Sequence, residues 1–277
     1  MEKEQKDVIL QVNHLSISEN KHPKLMKFCK DFIVVKNETI TPTLYILRLQ
    51  YPQTLPEIKP GQFVEVLVEG EKEAFLRRPI SIHDVDKEKN QIALLVQVVG
   101  KGTAQLSNIK EGEKLNLIFP LGNGFTIIGN KVLLIGGGCG AAPLLYLLRV
   151  LKQQNIQSDI LIGCKDINHL FSKTEYQELS NLHVTTEDGS FGEKGFVTAH
   201  PILKEDFDTI YCCGPTPMMK AVSDYAKKRN IPCYVSLEHK MACGFGVCLC
   251  CVAETNQGNK RTCVTGPIFL STDLKDF

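Results

Sequence analysis

The sequence lacks both an excess of charge of one sign and a long apolar run. Its 277 residues include 32 lysines and arginines against 31 aspartates and glutamates, a formal net charge of +1 at pH 7. Such a balance supplies no field that favours nucleic acid or an anionic membrane surface. The most apolar stretch, residues 132–148, is interrupted by glycines and Pro143, so it cannot form a spanning helix of about 20 apolar residues. We therefore expect neither a nucleic-acid partner nor a membrane span.

A secretory hydrophobic segment is also missing, and the 11 cysteines are odd in number. Both features argue against a disulfide framework. Six cysteines are scattered in mostly apolar contexts, where a free thiol behaves as a small hydrophobe. They are Cys29, Cys139, Cys164, Cys212, Cys213 and Cys233. This usage predicts a cytoplasmic protein.

Four further cysteines near the C-terminus have the spacing C-x4-C-x2-C-x11-C. They are Cys243, Cys248, Cys251 and Cys263. This is the plant-ferredoxin arrangement for a 2Fe-2S cluster, and soft thiolates suit iron-sulfur centres. Gly244 and Gly246 allow the backbone to curl tightly between the ligands.

Two alternatives accompany this cysteine motif. Zinc is one, although structural zinc sites usually pair their ligands as two C-x2-C knuckles. The other concerns Cys250, a fifth thiol adjacent to Cys251, which competes for the same ligand position. The plant-type spacing favours Cys251. We predict a one-electron carrier.

The rest of the chain divides by its hydrophobic pattern. Residues 1–26 are a polar extension in which Val8, Leu10 and Val12 alternate as in a short strand. Residues 27–128 contain six short β-rich runs separated by turn signals, which predict a six-stranded antiparallel barrel. These runs are residues 32–35, 44–49, 63–68, 79–83, 92–99 and 115–119. Residues 232–277 form a small module around the cysteine loop.

Residues 129–231 alternate strands with helices, which predicts a parallel sheet covered on both faces. The strand at 132–135 leads into G-G-G-C-G-A-A-P, residues 136–143, and then an apolar helix. Glycines and free N-H groups at such a turn suit a pyrophosphate, although a glycine-rich packing turn is the alternative. A second turn, residues 213–215, closes a later strand of the same sheet, so the two loops converge on one crevice. The acidic turn 187–192 either lines this crevice or is a solvated hairpin.

The barrel carries a second set of nucleotide signals. Arg77 and Arg78 precede Pro79 at the start of a strand, where a guanidinium can clamp a pyrophosphate. Downstream, residues 100–103 open a short helical stretch in which Thr103 is a plausible cap and the N-H groups are free for phosphate. The two segments are expected to flank one dinucleotide.

The chain thus has a barrel, then a parallel sheet with two glycine turns, then a cysteine loop. This order of segments resembles that of the ferredoxin reductase-like flavoproteins. Within that superfamily, the chain is similar to the electron-transfer subunits of NAD-linked (type B) dihydroorotate dehydrogenases. The similarity runs from about residue 26 to 269 and is most specific in L-R-R-P-I-S-I at 76–82, E-D-G-S-F-G-E-K-G at 187–195, M-A-C-G-F-G-V-C at 241–248 and C-V-T-G-P-I-F at 263–269. Cys250 and Thr265 depart from the family pattern, and residues 1–25 have no counterpart in it.

The resemblance implies three sets of binding residues. FAD is expected at Arg78, Pro79, Ile80, Ser81, Leu95, Val96, Gln97, Gly102 and Thr103. NAD is expected at Gly136, Gly137, Gly138, Gly140, Cys213, Gly214 and Pro215. The 2Fe-2S ligands are Cys243, Cys248, Cys251 and Cys263, and no side chain is assigned as a catalytic acid or base.

The same resemblance implies a function and a partner. Electrons from dihydroorotate would pass from an FMN-type catalytic subunit through the cluster and FAD to NAD⁺ in pyrimidine biosynthesis, in a heterotetramer of two plus two subunits. One alternative is an NAD(P)H-dependent reductase component of an oxygenase, hydrogenase or transhydrogenase-like complex. A redox-sensing regulatory module is an alternative of another class. At residues 164–166, Lys165 and Asp166 offer both charge signs, so only the resemblance favours NAD over NADP.

Overall fold

The computed structural model describes residues 26–275 and residue 277. The predicted N-terminal strand around Val8–Val12 therefore lies outside the described residues. Among the helices that are described, none is both long and apolar enough to cross a bilayer.

The N-terminal half is a closed antiparallel barrel, as predicted. Its strands follow one another around the barrel in the order β1-β2-β5-β4-β3-β6. Alternate residues such as Val64 and Val66 point inward to a core shared with Leu47, Leu94 and Phe119. The elements are β1 (Phe28–Thr41), β2 (Leu44–Gln50), β3 (Phe63–Val66), β4 (Arg78–Asp86), β5 (Gln91–Gln97), α1 (Lys101–Leu106) and β6 (Lys114–Leu121).

The second half contains the predicted parallel sheet. Its elements are β7 (Lys131–Gly137), α2 (Leu144–Gln153), β8 (Gln157–Cys164), α3 (Lys173–Leu179), β9 (Asn181–Thr186), β10 (Glu193–Lys194), β11 (Thr209–Cys213), α4 (Thr216–Lys228) and β12 (Cys233–Ser236). Strands β7 to β12 pair in parallel in the order β10-β9-β8-β7-β11-β12. Helix α3 and the two-residue strand β10 were not predicted.

The C-terminal segment adds a hairpin and one more strand, which were not predicted either. The hairpin consists of β13 (Val252–Thr255) and β14 (Gly258–Arg261), and the last strand is β15 (Ile268–Leu270). Strand β15 pairs antiparallel with β12, so the sheet has seven strands and continues past the expected boundary at residue 231. The boundaries 26/27, 128/129 and 231/232 stay predictions.

Polar contacts hold the barrel against the carboxyl edge of the sheet. His83 on β4 is buried, with Nδ1 2.7 Å from the Ala142 carbonyl oxygen and Nε2 3.1 Å from Ser172 Oγ. Nearby, Arg149 of α2 pairs with Asp84 at 2.7 Å. These contacts place the end of β5 beside the loops that follow β7 and β11, which is where the predicted sites meet.

Candidate functional site

At one end of the closed barrel β4 and β5 do not pair, which leaves a seam between the start of β4 and the end of β5. Arg78–Ser81 pair with β3, and β4 joins β5 only from Ile82, which lies opposite Leu94. At the other side of the seam, residues 95–97 of β5 pair with β2. Two strand segments therefore direct backbone polar groups towards a shared gap, which suits a flat ring with a polar edge. Leu95 and Val96 are buried and belong to the hydrophobic cores on either side of the strand.

The helix after β5 completes this seam. Arg78 lies against α1, because a Cβ on Gly102 would come within 2.7 Å of Arg78 Nε. The buried Thr103 is not the helix cap expected from the sequence, since Gly100 occupies that position. Instead, Thr103 Oγ1 accepts hydrogen bonds from the N-H groups of Val99 and Gly100 at 2.9 and 3.3 Å. The predicted flavin residues of β4, β5 and α1 are thus brought together.

The arginine pair that the sequence suggests is divided between two roles. The Arg77 guanidinium donates to the carbonyls of Glu65 and Asn116 and, at 2.6 Å, to Asn116 Oδ1. Arg78 Nη1 donates only to the carbonyls of Leu76 and Arg77 among the contacts of the described residues. Arg77 therefore ties β3 to β6, whereas Arg78 faces the seam.

The two glycine turns of the sheet pack directly against each other. A Cβ on Gly140 would lie 2.7 Å from the Gly214 nitrogen, and one on Gly137 would lie 2.6 Å from Met218 Sδ. A Cβ on Gly136 would be 2.5 Å from Ala141 Cβ. Only Gly138 has open space around it, and its φ of +51° favours glycine. Close packing thus accounts for three glycines: Gly140 against the second turn, Gly137 against α4, and Gly136 against Ala141 of its own turn. Backbone conformation accounts for the fourth.

These turns border a crevice of about 860 Å³. Gly137, Gly138, Gly140, Gly214 and Pro215 line it, whereas Gly136 and Cys213 lie behind the lining. A volume of this size accommodates an extended dinucleotide. Gln97 of the barrel seam also lines the crevice, so one residue borders both candidate nucleotide sites. That shared border was not evident from the sequence.

The acidic turn after β9 contributes to the same crevice. Glu187 lines it, together with Lys165 at the end of β8. Asp166, by contrast, accepts from the Asn168 N-H at 2.8 Å and from His169 Nδ1 at 2.9 Å. Of these two acidic residues, Glu187 lines the crevice, as does Glu238 after β12. Loop composition alone left the position of the Glu187 turn open between two interpretations.

The cysteine loop has the strained turns that its glycines predict. Gly244 and Gly246 have φ angles of +70° and +96°, and Leu249 has +57°. A Cβ on Gly246 would approach Val264 Cγ2 at 2.5 Å, so glycine is required there by space as well as by conformation. The hairpin β13–β14 then returns the chain to Cys263.

The four predicted ligands approach one another as two pairs. The thiols of Cys243 and Cys248 interact, as do those of Cys251 and Cys263. Within residues 26–275, no three thiol, imidazole or carboxylate groups converge on one point. A 2Fe-2S cluster takes two protein thiolates per iron, and two cysteine pairs fit this donor set.

Backbone N-H groups are directed at two of these sulfurs. Val247 and Cys248 donate to Cys243 Sγ at 3.3 and 3.5 Å, and Cys263 donates to Cys251 Sγ at 3.4 Å. Burial opposes ionisation of Cys243, but these N-H groups lower its pKa to about 7. Burial and the neighbouring thiols raise the pKa of Cys263 to about 12. N-H donors to sulfur stabilise the thiolate form that iron requires.

Cys250 points away from this arrangement. Its thiol is exposed and lies 3.5 Å from the Lys240 carbonyl oxygen, whereas Cys251 is buried. Phe63, Ile118 and Leu121 of the barrel pack against Cys251 and Cys263, which fixes that pair on the barrel surface. Cys251 is therefore the better placed of the two adjacent thiols.

A buried carboxyl that the sequence did not indicate lies between the cysteine loop and the flavin seam. Glu65 of β3 is fully buried, and neither carboxyl oxygen has a hydrogen-bond partner among the described residues. It lies opposite Pro79 of β4, and a Cβ on Gly244 would come within 2.6 Å of its Oε1. Desolvation and the nearby Cys243 raise its pKa to about 7, against the opposing effect of Arg77 and Arg78. Glu65 therefore lies at the contact between the cysteine loop and the flavin seam.

Comparison with known protein families matches each part of the chain. Residues 31–125 match an oxidoreductase FAD-binding domain, residues 134–224 an oxidoreductase NAD-binding domain, and residues 238–275 the iron-sulfur cluster binding domain of dihydroorotate dehydrogenase B. The predictions of FAD, NAD and an iron-sulfur cluster are confirmed. The individual binding residues stay predictions.

Relatives extend over most of the chain. The electron transfer subunit of dihydroorotate dehydrogenase B (NAD(+)) from Clostridium acetobutylicum is 43% identical over 79% of this chain and 87% of its own length. The subunit of the same name from Caldanaerobacter subterraneus is 40% identical over 87% of this chain and 96% of its own length. A solved structure of an NADH-dependent reduced ferredoxin-NADP oxidoreductase superposes with a TM-score of 0.81 at 31% identity, covering 88% of this chain and 90% of that one. The chain therefore belongs to the family of dihydroorotate dehydrogenase B (NAD(+)) electron transfer subunits.

Proposed function

We propose that this chain carries electrons from a dihydroorotate-oxidising partner through a 2Fe-2S cluster and FAD to NAD⁺. The observation that carries the proposal is the order of the sites on one rigid frame. Glu65 lies where the cysteine loop meets the strand opposite the flavin residues, and Gln97 borders both the flavin seam and the dinucleotide crevice. Cluster, flavin and dinucleotide would thus lie in sequence, each next to the one with which it exchanges electrons.

Each group has residues suited to hold it. The backbone of residues 78–81 and 95–97 would hold the flavin ring in the seam, and Arg78 with the start of α1 would bind its phosphates. Gly137–Gly140 and Gly214–Pro215 would hold the pyrophosphate of NAD, with Gly136 and Cys213 supporting them from behind. Cys243 with Cys248, and Cys251 with Cys263, would ligate one iron each. Bound FAD supplies the exchange between single electrons and a hydride.

The protein's own residues orient and shield these steps. The barrel seals Cys251 and Cys263 from water with apolar side chains, and the loop N-H groups neutralise part of the charge on sulfur. Transfer of a hydride between stacked rings needs no protein acid or base, so we assign no catalytic side chain.

The partner would contact the exposed side of the cysteine loop. Val247 and Leu249 are 62% and 63% exposed, beside the exposed thiol of Cys248. Exposed apolar side chains next to a redox centre suit a docking surface that shortens electron transfer. The names of the relatives imply a catalytic partner subunit, and we propose a heterotetramer of two plus two subunits. All eleven cysteines lie in the described part of the chain and are unpaired, which suits a cytoplasmic location.

Reconstitution with and without a partner tests the function. Purified with iron and flavin, the chain alone should reduce an artificial acceptor with NADH and should not oxidise dihydroorotate. Addition of a dihydroorotate dehydrogenase catalytic subunit should then produce NADH from dihydroorotate. Dihydroorotate oxidation by the isolated chain would contradict the proposal.

A second candidate arises from the ferredoxin-NADP oxidoreductase similarity. That structure superposes on 88% of this chain with a TM-score of 0.81. In this alternative the chain would serve a transhydrogenase-like complex. It would be favoured if the chain were active with NADH alone but formed no NADH with any dihydroorotate dehydrogenase subunit.

A further inference from the structure

The crevice extends well beyond the glycine turns, across the carboxyl ends of two further strands. Its barrel side is bordered by Gln97 and the turns after β7 and β11. Its far side lies over β8 and β9, which are the next strands along the sheet. If the pyrophosphate lies at the glycine turns and the nicotinamide reaches the flavin seam, the part of the crevice over β8 and β9 is open to the adenosine half. This step rests on the proposed NAD function.

An exposed aromatic ring lies at that far side. Phe196 lines the crevice and is 70% exposed. Its backbone is anchored by the next residue, because buried Val197 packs so closely on β8 that a Cβ on Gly163 would be 2.7 Å from Val197 Cγ1. A ring that is held at its base and open on its face is suited to stack on a planar base.

A carboxylate lines the same part of the crevice, because the Gly195 N-H just before Phe196 donates to the Thr186 carbonyl just before Glu187 at 2.9 Å. The Glu187 N-H donates to the Cys164 carbonyl at 3.2 Å, and the Asp188 N-H donates to the Lys165 carbonyl at 3.4 Å, so the ends of β8 and β9 are tied together. Glu187 lines the crevice, whereas Asp188 caps its own turn by accepting from the Ser190 N-H at 2.9 Å. A carboxylate at this edge can accept from ribose hydroxyls and repels a 2′-phosphate.

We propose that Phe196 and Glu187 form the adenosine subsite of the crevice. Phe196 stacks on the adenine, and Glu187 accepts hydrogen bonds from the adenosine ribose. Glu187, rather than Asp166, is then the residue that selects NAD over NADP. Lys165 lines the same crevice, and the Glu187 carboxylate has the stronger effect on selectivity.

Nucleotide fragments separate the two ends of the crevice. In equilibrium binding to the oxidised FAD- and cluster-loaded protein, Phe196→Ala should weaken NAD⁺ and AMP by about tenfold each and leave oxidised nicotinamide mononucleotide unchanged. Phe196→Tyr keeps an aromatic ring and should therefore keep the wild-type affinities for the dinucleotide and for AMP. The matched control is Phe75→Ala, which removes a ring that is 83% exposed outside the crevice lining, and it should change none of the three. Unchanged AMP affinity in Phe196→Ala would overturn the assignment.

A second variant tests the selectivity. Glu187→Gln should reduce the ratio of NADP⁺ to NAD⁺ dissociation constants by about tenfold, and Asp188→Asn should leave it unchanged. An unchanged ratio in Glu187→Gln would refute the role of Glu187. Failure of the proposed function looks different: wild-type protein that binds neither nucleotide would remove both proposals, whereas wild-type binding with unaffected variants would remove only the subsite.

Discussion

The dinucleotide crevice and the cysteine loop are both built around glycines, but for opposite reasons. In the crevice, glycines allow regular elements to touch: Gly140 lies against Gly214, and Gly137 against the start of α4. In the cysteine loop, Gly244 and Gly246 have left-handed backbone conformations. The backbone N-H groups that follow them donate to the sulfur of Cys243. One site is formed by packing of the protein core and the other by a turn around its ligand.

This difference has a consequence for stability. Strands β7, β8 and β11 carry fully buried residues such as Leu134, Leu161 and Tyr211 directly beneath the crevice. In the cysteine loop, only Gly244 is buried among residues 241–250. The crevice should therefore keep its shape without nucleotide, whereas much of the order of the cysteine loop should come from the cluster.

Loss of one cluster ligand should have the largest effect. Cys251→Ala should abolish the 2Fe-2S signal in electron paramagnetic resonance, because it removes the buried sulfur that pairs with Cys263. Cys250→Ala, one residue earlier, should keep the full iron and sulfide content. Both variants should bind NADH like the wild type if the two regions are independent. Cluster loss in Cys250→Ala instead would reverse the ligand assignment.

A methyl group between the two turns of the crevice should have the next largest effect. Gly140→Ala forces Gly214 away, since the new Cβ would lie 2.7 Å from its nitrogen. Displacing packed backbone costs about 3 kcal/mol, which corresponds to roughly 100-fold weaker NADH binding if the turns must separate. Isothermal titration measures the affinity, and iron content serves as the control for the cysteine loop. A large loss of iron in Gly140→Ala would show that the crevice and the cysteine loop are coupled.

Replacement of Glu65 tests how the buried carboxyl beneath the cysteine loop affects the stability of the protein. Its folded-state pKa of about 7 lies above its ordinary value of 4.5, so the folded protein holds this proton more tightly than the unfolded chain. Stability should therefore fall as the pH rises from about 4.5 to 7, and the penalty is complete above pH 7. Glu65→Met should raise the free energy of unfolding by about 2 kcal/mol at pH 8 and by much less at pH 5.5.

Denaturant unfolding of the loaded protein at both pH values measures this change. Glu254→Met is the control, because Glu254 is an exposed glutamate of the same module. A stabilisation that is the same at both pH values would assign the effect to apolar packing and not to the buried acid.

Much of the fold could be predicted from local pattern. All six barrel strands and the strands β7, β8, β9, β11 and β12 follow runs of alternating or continuous apolar residues. Helix α3 was missed because it has seven residues and begins after Ser172, which has φ +49° and makes no side-chain cap. Strand β15 has three residues and exists through its pairing with β12, which no local signal specifies.

The candidate site was predictable where motifs determine it and not where tertiary contacts do. Cysteine spacing predicted the iron-sulfur domain that matches residues 238–275, and the glycine turns predicted the crevice that they line. Glu65 was missed because alternation with Val64 and Val66 places it on the outside of the barrel, where a charged residue is ordinary. Only the packing of the cysteine loop over β3 buries it. The seam between β4 and β5 likewise depends on where their pairing begins.

The smallest effect is expected at Gly138, the one glycine of its turn with open space around it. Gly138→Ala places a Cβ where no protein atom lies within 4 Å, so the substitution costs only the strain of a left-handed backbone at φ +51°, about 1 kcal/mol. Thermal unfolding without nucleotide should therefore show a modest decrease in Tm, well below that of Gly140→Ala. NADH binding gives the sharper result. If the open space at Gly138 is where the pyrophosphate approaches the backbone, the methyl group should weaken NADH by more than the change in stability accounts for. Equal NADH affinity in Gly138→Ala and wild type would place the pyrophosphate elsewhere along the crevice. The cysteine loop would then be the one of the two regions with a turn that faces its ligand.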